Sequence, residues 1–325
     1  MRRVIWVTLI MLCGVINFAE AQSSKEEASY PNHPIRLMSG GVGSTADYLA
    51  RLIGVKLNEK WAQPVVVDSR TGAGGTITAD ILARATPDGY TLMVGHAGPV
   101  VSALALYKNL SYDPVRDFAP VTQLSKGVVV LVTLPSMPVK SVQELVAYIR
   151  QKKDLSYGSA GNGSISHLVG ELFNTVSGVK VLHIPYKSAG FALTSLLSSE
   201  TQIAFLSPVT AHTQLVAGRV KALVVSSKTR FLGLPEVPSA VEAGVPGLDA
   251  QLWFGLFTTA KTPDPVIMKL NREVSAILSN PEIKAMLLAQ GAEAAPSTPQ
   301  WLGQFVQSEI KRWVPIIRSA GIQAD

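Results

Sequence analysis

The sequence predicts an α/β protein of two domains, each a mainly parallel sheet flanked by helices, and three observations predict it. From Pro34 onward, short β-branched runs alternate with helix-length amphipathic stretches, the pattern of βαβ units around a parallel sheet. The 325 residues are enough to bury two hydrophobic cores. No self-similarity at a solenoid period is visible, so the length is not that of a stacked array.

In chain order, Arg2 and Arg3 precede an apolar run from Val4 to Val15, and Ala19-Glu20-Ala21 offers small residues where signal peptidase reads. Residues 1–21 are therefore expected to be a signal peptide cleaved after Ala21, with the mature protein in the periplasm. A membrane span needs roughly 20 apolar residues, and this run is shorter and is broken by Asn17 and Glu20. Cys13 is the only cysteine, and Leu12 stands where lipoprotein processing wants a small residue, so no lipid is expected. Cleavage removes Arg2, Arg3 and Glu20, which leaves 27 basic and 22 acidic residues and no cysteine. Without disulfides in an oxidising space, stability must come from the cores. Residues 22–33 are polar and read as a disordered lead-in.

Expected strands follow at Ile35–Ser39, Val65–Asp68, Thr91–Gly95, Val128–Thr133, Leu155–Gly158, Val181–Ile184, Ile203–Leu206 and Val220–Ser226. Helices fill most of the gaps. Ser141 with Glu144 forms a capping box, Asn280-Pro281 and Thr298-Pro299 each read as N-cap then N1 proline, and Gly291 closes the helix that Asn280 opens. The C-terminal third is mostly helical, with Pro315 expected to kink or end the last helix. Crossovers near Pro120–Gly127 and Pro246–Phe254 divide the chain into domain 1, residues 34–126 plus 249–325, and domain 2, residues 127–248.

Composition excludes several functions. The basic residues come singly or in pairs such as Lys152-Lys153, without the interleaved aromatics of a nucleic-acid platform. No run beyond the leader reaches spanning length, so the mature chain is not expected to be membrane-embedded. His96, His167, His183 and His212 are too scattered for a sequence-local metal site, and no cofactor is expected. Gly-x-Ser-x-Gly, P-loop and His-Glu-x-x-His motifs are absent, as is a mature cysteine nucleophile, so the chain reads as a non-enzyme.

The chemistry concentrates in two glycine-rich loops, each between a strand and a helix. The first runs Ser39-Gly40-Gly41-Val42-Gly43-Ser44-Thr45-Ala46-Asp47, and the second Gly158-Ser159-Ala160-Gly161-Asn162-Gly163-Ser164-Ile165-Ser166-His167. Glycines let backbone N–H groups turn inward, and the helix that follows adds a partial positive charge, so such a loop binds anions without arginine. A tight βα turn with no ligand is the plainer reading of each loop taken alone. Arg70-Thr71-Gly72-Ala73-Gly74-Gly75 is a third such stretch, read first as a turn packed on the sheet. Asp47 stands three residues after Ser44, which makes it either a capping-box partner or a ligand for a solute amino or hydroxyl group. His167, in the first turn after the second loop, is either structural or cleft-facing. The rival function is an exported nicotinamide-dependent oxidoreductase, because Gly41-Val42-Gly43-Ser44-Thr45-Ala46 fits a relaxed dinucleotide fingerprint and Asp68 ends the next strand. Export weighs against it, since a freely dissociating cofactor would have to be supplied outside the cytoplasm.

An ordered set of segments carries a family likeness: Tyr30-Pro31-Asn32-His33-Pro34-Ile35-Arg36-Leu37, Val65-Val66-Val67 through Gly75, Pro87-Asp88-Gly89-Tyr90-Thr91-Leu92, Tyr112-Asp113-Pro114, Tyr157 through Leu168, Ile184-Pro185-Tyr186-Lys187, Leu234-Pro235-Glu236-Val237-Pro238-Ser239 and Trp253-Phe254-Gly255-Leu256. Across nearly all of the mature length the chain resembles the solute-binding proteins of tripartite tricarboxylate transporters, the Bug family. The resemblance implies a periplasmic Venus-flytrap receptor, monomeric, closing on a small carboxylate solute and serving membrane transporter subunits. It also implies that two βα loops, one per domain, hold the solute by backbone N–H groups and ordered water. Carried onto this sequence, those positions are Ser39 to Asp47, Ser159 to Ser164 with His167, and Tyr186. The first loop departs from the family pattern: Gly40-Gly41-Val42-Gly43 stands where a proline pair usually precedes two glycines, and it is one residue shorter.

Overall fold

In the computed structural model, residues 30–152 and 154–319 are described, so the expected signal peptide, its cleavage site and Cys13 lie outside the described residues. Strand β1 (Ile35–Ser39) feeds helix α1 (Thr45–Trp61), and β2 (Val65–Ser69) feeds α2 (Thr76–Ala83). Next come β3 (Thr91–His96), a short α3 (Ala103–Leu106) and the long β4 (Phe118–Val128). After Val129 the chain builds β5 (Val130–Thr133), α4 (Val142–Gln151), β6 (Ser156–Ser159), α5 (Ile165–Ser177), β7 (Leu182–Pro185), α6 (Ala189–Leu197), β8 (Ile203–Leu206), α7 (Pro208–Val216) and β9 (Lys221–Val225). It returns through β10 (Gln251–Thr259) to α8 (Asp264–Ser279), α9 (Pro281–Ala289), β11 (Glu293–Ala294) and α10 (Pro299–Ser319).

Two sheets result, a six-stranded one in the order β11-β4-β10-β3-β1-β2 and a five-stranded one in the order β7-β6-β8-β5-β9. Both are mixed rather than mainly parallel. β1 pairs in parallel with β2 and β3, and β6 with β7 and β8, whereas β10 runs antiparallel to β3 and β4, and β5 antiparallel to β8 and β9. The cause is connectivity. β4 carries the chain out of the first sheet and β10 brings it back alongside, and two neighbouring strands that leave and re-enter one sheet must run in opposite directions.

Helices cover the sheets through apolar stripes. Helix α1 buries Leu49, Ile53 and Leu57, four residues apart, and α5 buries Leu168, Val169 and Phe173. Each such side chain stabilises the fold by roughly 1.5–3 kcal/mol. Caps start the helices as the sequence indicates: Ser141 Oγ accepts from Glu144 N–H at 3.2 Å, Asn280 Oδ1 from Glu282 N–H at 2.8 Å, and Thr298 Oγ1 from Trp301 N–H at 3.1 Å. Pro315 does not end α10, because Trp313 and Ile317 are buried on either side of it, while Lys311, whose carbonyl loses its helical donor, is exposed to water. Residues 30–33 also depart from a disordered lead-in: Tyr30 is buried, packs on Trp61 and Tyr90, and donates its hydroxyl to Gly89 O at 2.8 Å.

Candidate functional site

The carboxyl ends of β1, β2 and β3 face those of β6, β7 and β8, the position where open α/β sheets bind ligands. Between them lies a cleft with about 710 Å³ of empty space, its mouth included. The loop after β1 contributes Gly40, Gly41, Ser44 and Thr45 to one wall, the loop after β2 adds Arg70, Gly72, Gly74 and Gly75, and His96 and Phe254 complete that side. Opposite stand Ala160, Ser164 and Ser166 after β6, Lys187 and Ser188 after β7, and Phe205, Ser207 and Thr210 around the end of β8.

Four helices begin at this cleft, and serine is the N-cap of each: Ser44 for α1, Ser164 for α5, Ser188 for α6 and Ser207 for α7. A helix N-terminus acts as roughly half a positive charge with undirected N–H groups, so four of them at one cavity create a field for an anion. The charged residues lining the cleft, Arg70 and Lys187, are both basic. Arg70 is held by Asp68 at 2.9 Å, and Asp68 is also gripped by Arg36 Nε at 2.9 Å. The carboxylate that a dinucleotide reading would turn toward a ribose is thus occupied by two guanidinium groups.

The structure separates the sequence-expected site residues into two groups. Gly40, Gly41, Ser44, Thr45, Ala160 and Ser164 line the cleft. Ser39, Val42, Gly43, Asp47, Ser159, Gly161, Asn162, Gly163, His167 and Tyr186 do not, and their contacts show what they do instead. The Asp47 carboxylate accepts from Ser69 Oγ at 2.6 Å and Arg51 Nε at 3.0 Å, while Asp47 N–H is capped by Ser44. Burial would push this carboxyl up, but the bonds from Arg51 and Ser69 outweigh it and hold it below the usual carboxylate range. His167 lies behind the second loop, with Nδ1 accepting from Gly163 N–H at 3.1 Å and the ring stacked on His183 at 3.8 Å. His183 Nε2 bonds Ser159 Oγ at 2.6 Å, and burial, with His167 beside it, pushes the His183 ring down to about 3. Ser39 Oγ bonds Ser69 Oγ at 3.2 Å, Val42 is exposed, and the Tyr186 ring packs against Gly158.

Most of the second loop's N–H groups are already used within the loop. Ala160 N–H donates to Ser166 Oγ at 2.9 Å, Gly161 N–H to Ser159 Oγ at 3.1 Å, and Ser164 N–H to Gly161 O at 3.1 Å. This loop is therefore pre-organised, and what it presents to the cleft is chiefly the start of α5.

The two walls approach closely at several glycines, and a hydrogen bond joins them. A Cβ on Gly41 would fall 2.8 Å from Ser188 Cβ, and one on Gly74, whose φ is +60°, would fall 2.6 Å from Asn162 O. Gly163 also faces across, toward Leu106, rather than into the cavity. Thr45 Oγ1 and Ser207 Oγ lie 2.6 Å apart and join the two sides directly. The third glycine stretch is thus part of the cleft and not only a turn packed on its sheet.

Sequence reasoning passed over His96, Ser188, Ser207, Thr210 and Phe254. Ser207-Pro208 carries the same N-cap and N1-proline signal as Asn280-Pro281 and was legible on that ground. His96 carries no local signal, because its role depends on the fold: Gly98 N–H donates to Nδ1 at 3.1 Å, which leaves the neutral ring's hydrogen on Nε2. Burial pushes this imidazole down to about 4. Among the described residues no cluster of three histidine, cysteine or acidic side chains is arranged to hold a metal, and no helix is long and apolar enough to cross a membrane.

Comparison with known proteins identifies the family. The model of the tripartite tricarboxylate transporter family receptor matches residues 49–322. BugT of Bordetella pertussis is 32% identical over 298 residues, covering 90% of this chain and 91% of BugT. Among solved structures, an R. palustris protein with adipate superposes with a TM-score of 0.88 at 34% identity, covering 90% of this chain and 99% of that one. MatC from Rhodopseudomonas palustris with bound malate superposes with a TM-score of 0.84 at 35% identity, covering 89% of this chain and 100% of MatC. The fold is the two-domain α/β fold of periplasmic binding proteins, and the chain belongs to the tripartite tricarboxylate transporter receptor family, the solute-binding Bug proteins.

Proposed function

We propose that this receptor captures a small carboxylate in the cleft between its two sheets and delivers it to membrane transporter subunits. The observation that carries the reading is the convergence of four helix N-termini, each with a serine at its N-cap position, on a cavity whose charged lining residues are both basic. A few charge-assisted hydrogen bonds at about 1.5–3 kcal/mol each are enough for micromolar affinity, roughly −8 kcal/mol. Two structural neighbours of similar size, solved with adipate and with malate, support the ligand class.

The working unit is a monomer in which residues 34–126 with 249–325 close on residues 127–248, so that neither side binds well alone. The mature chain starts at Gln22 in the periplasm, which an intact mass of the exported protein checks; retention of Met1 would contradict it. The test of the ligand class is thermal stability across a panel of mono-, di- and tricarboxylates and both nicotinamide dinucleotides. A ligand at 100 times its dissociation constant adds about 2.7 kcal/mol to the folded state. A shift with a carboxylate and none with dinucleotide is expected, and the reverse pattern would refute the carboxylate reading in favour of a dinucleotide site.

A further inference from the structure

The four N-cap serines of the cleft share an extended backbone, but one of them behaves differently. Ser44 Oγ accepts from Asp47 N–H at 3.2 Å, Ser164 Oγ from His167 N–H at 3.3 Å, and Ser207 Oγ from Thr210 N–H at 3.1 Å. Each of these hydroxyls serves its own helix. Ser188 makes no such bond to α6, and its Oγ is buried without a hydrogen-bond partner in a residue only 4% exposed. A buried hydroxyl left unpaired forfeits its hydration without a compensating bond, so such an atom calls for an explanation.

Its surroundings supply one. Ser188 lines the cleft next to Lys187 and opposite Gly41 of the facing wall. Directly after it, the first-turn N–H groups of Ala189 and Gly190 have no acceptor within the nine-residue helix α6. A hydroxyl donor, a helix N-terminus and a cation therefore meet at one point of the cavity wall. We propose that Ser188 is a solute-anchoring residue, its hydroxyl donating to a carboxylate oxygen beside the first-turn N–H groups of α6. The turn after β7 is then a third anchor, in addition to the loops after β1 and β6. This inference rests on the carboxylate reading of the cleft and adds the residue that grips the acid group on this wall.

The test uses the mature protein, its Ser188→Ala variant and the tightest-binding member of a carboxylate panel that includes adipate and malate. Calorimetry should show affinity falling about 10- to 100-fold, the worth of one charge-assisted hydrogen bond. The melting temperature of the unliganded variant should stay level or rise by about 1–2 °C, because an unsatisfied buried hydroxyl has been removed. A purely structural cap makes the opposite pattern, with unchanged affinity and a melting point lower by about 2–4 °C, and that result would overturn the assignment. Ser188→Gly keeps a favourable N-cap residue and provides the second variant should the alanine form fail to fold; wild-type affinity in it would equally overturn the assignment. If the wild type binds no carboxylate of the panel, the ligand class itself is refuted, an outcome distinct from a wild type that binds and a variant that binds as well.

Discussion

Replacing Gly41 with alanine adds one methyl group where the loop after β1 meets the start of α6. The backbone accepts it without strain, since Gly41 is not among the positive-φ glycines. The new Cβ would lie 2.5 Å from Thr71 Cγ2 and 2.8 Å from Ser188 Cβ, against an optimum of about 3.5–4.0 Å for two carbons. Thr71 is on the same wall, and its methyl group can turn away. Ser188 Cβ is fixed to the opposite wall, so relief there requires the walls to part by about 1 Å. Overpacking of this kind costs about 1–3 kcal/mol, and here it falls on the closed form alone. Carboxylate affinity should therefore drop about 5- to 150-fold in isothermal titration, with little change in the melting temperature of the unliganded protein. A dissociation constant within twofold of wild type would refute the argument that closure of these walls completes the site.

Three other outcomes follow from the same geometry. Lys187→Ala should weaken carboxylate binding by less than about fivefold, because an exposed cation contributes only about 0–1 kcal/mol in water; abolished binding in calorimetry would replace helix N-termini by charge pairing as the source of affinity. Ser207→Ala removes the acceptor for Thr210 N–H and the bond to Thr45, so thermal denaturation should show a loss of about 2–4 °C, and an unchanged melting point would contradict the cap assignment. The folded-state pKa values of His96 and His183 lie below the unfolded value near 6.5, so the unfolded chain binds more protons between about pH 6.5 and pH 4. Their contribution to stability is complete above about pH 7 and is lost as pH falls through that window. A melting scan from pH 7.5 to 5 should slope downward and His96→Gln should flatten it, whereas a level wild-type scan would contradict the desolvation of these rings.

The strands legible in the sequence were those whose residue types decide the matter locally. Ile203–Leu206 is a short apolar run and Ile35–Ser39 a short, mostly apolar segment after Pro34, and both have parallel partners in their sheets. Around Pro120–Gly127 the sequence shows an extended segment after a proline-rich turn, and Pro120, Gln123, Ser125 and Gly127 break any strand pattern in it; pairing with β10 on one side and β11 on the other makes it β4. β10 escaped for a related reason, since an extended aromatic segment after prolines looks the same whether or not a partner strand exists. In the site, glycine spacing located two of the cleft loops, because close approach of backbones leaves a mark on composition. It could not separate residues that face the cavity from those that support it. Asp47 and His167 are ordinary helix-start residues in the sequence, and only the structure shows them engaged with Ser69, Arg51 and His183 rather than lining the cavity. Ser188 was invisible for the converse reason, since an unused hydroxyl is defined by a bond the chain does not make.

The central claim is that the cleft between the two sheets is a carboxylate site, and direct titration of the wild-type mature protein with adipate, malate and further mono-, di- and tricarboxylates tests it. The account predicts that one of them binds at one site per chain with an affinity on the order of micromolar, and that neither nicotinamide dinucleotide produces heat at the same concentrations. Saturable dinucleotide binding with no carboxylate response would contradict it.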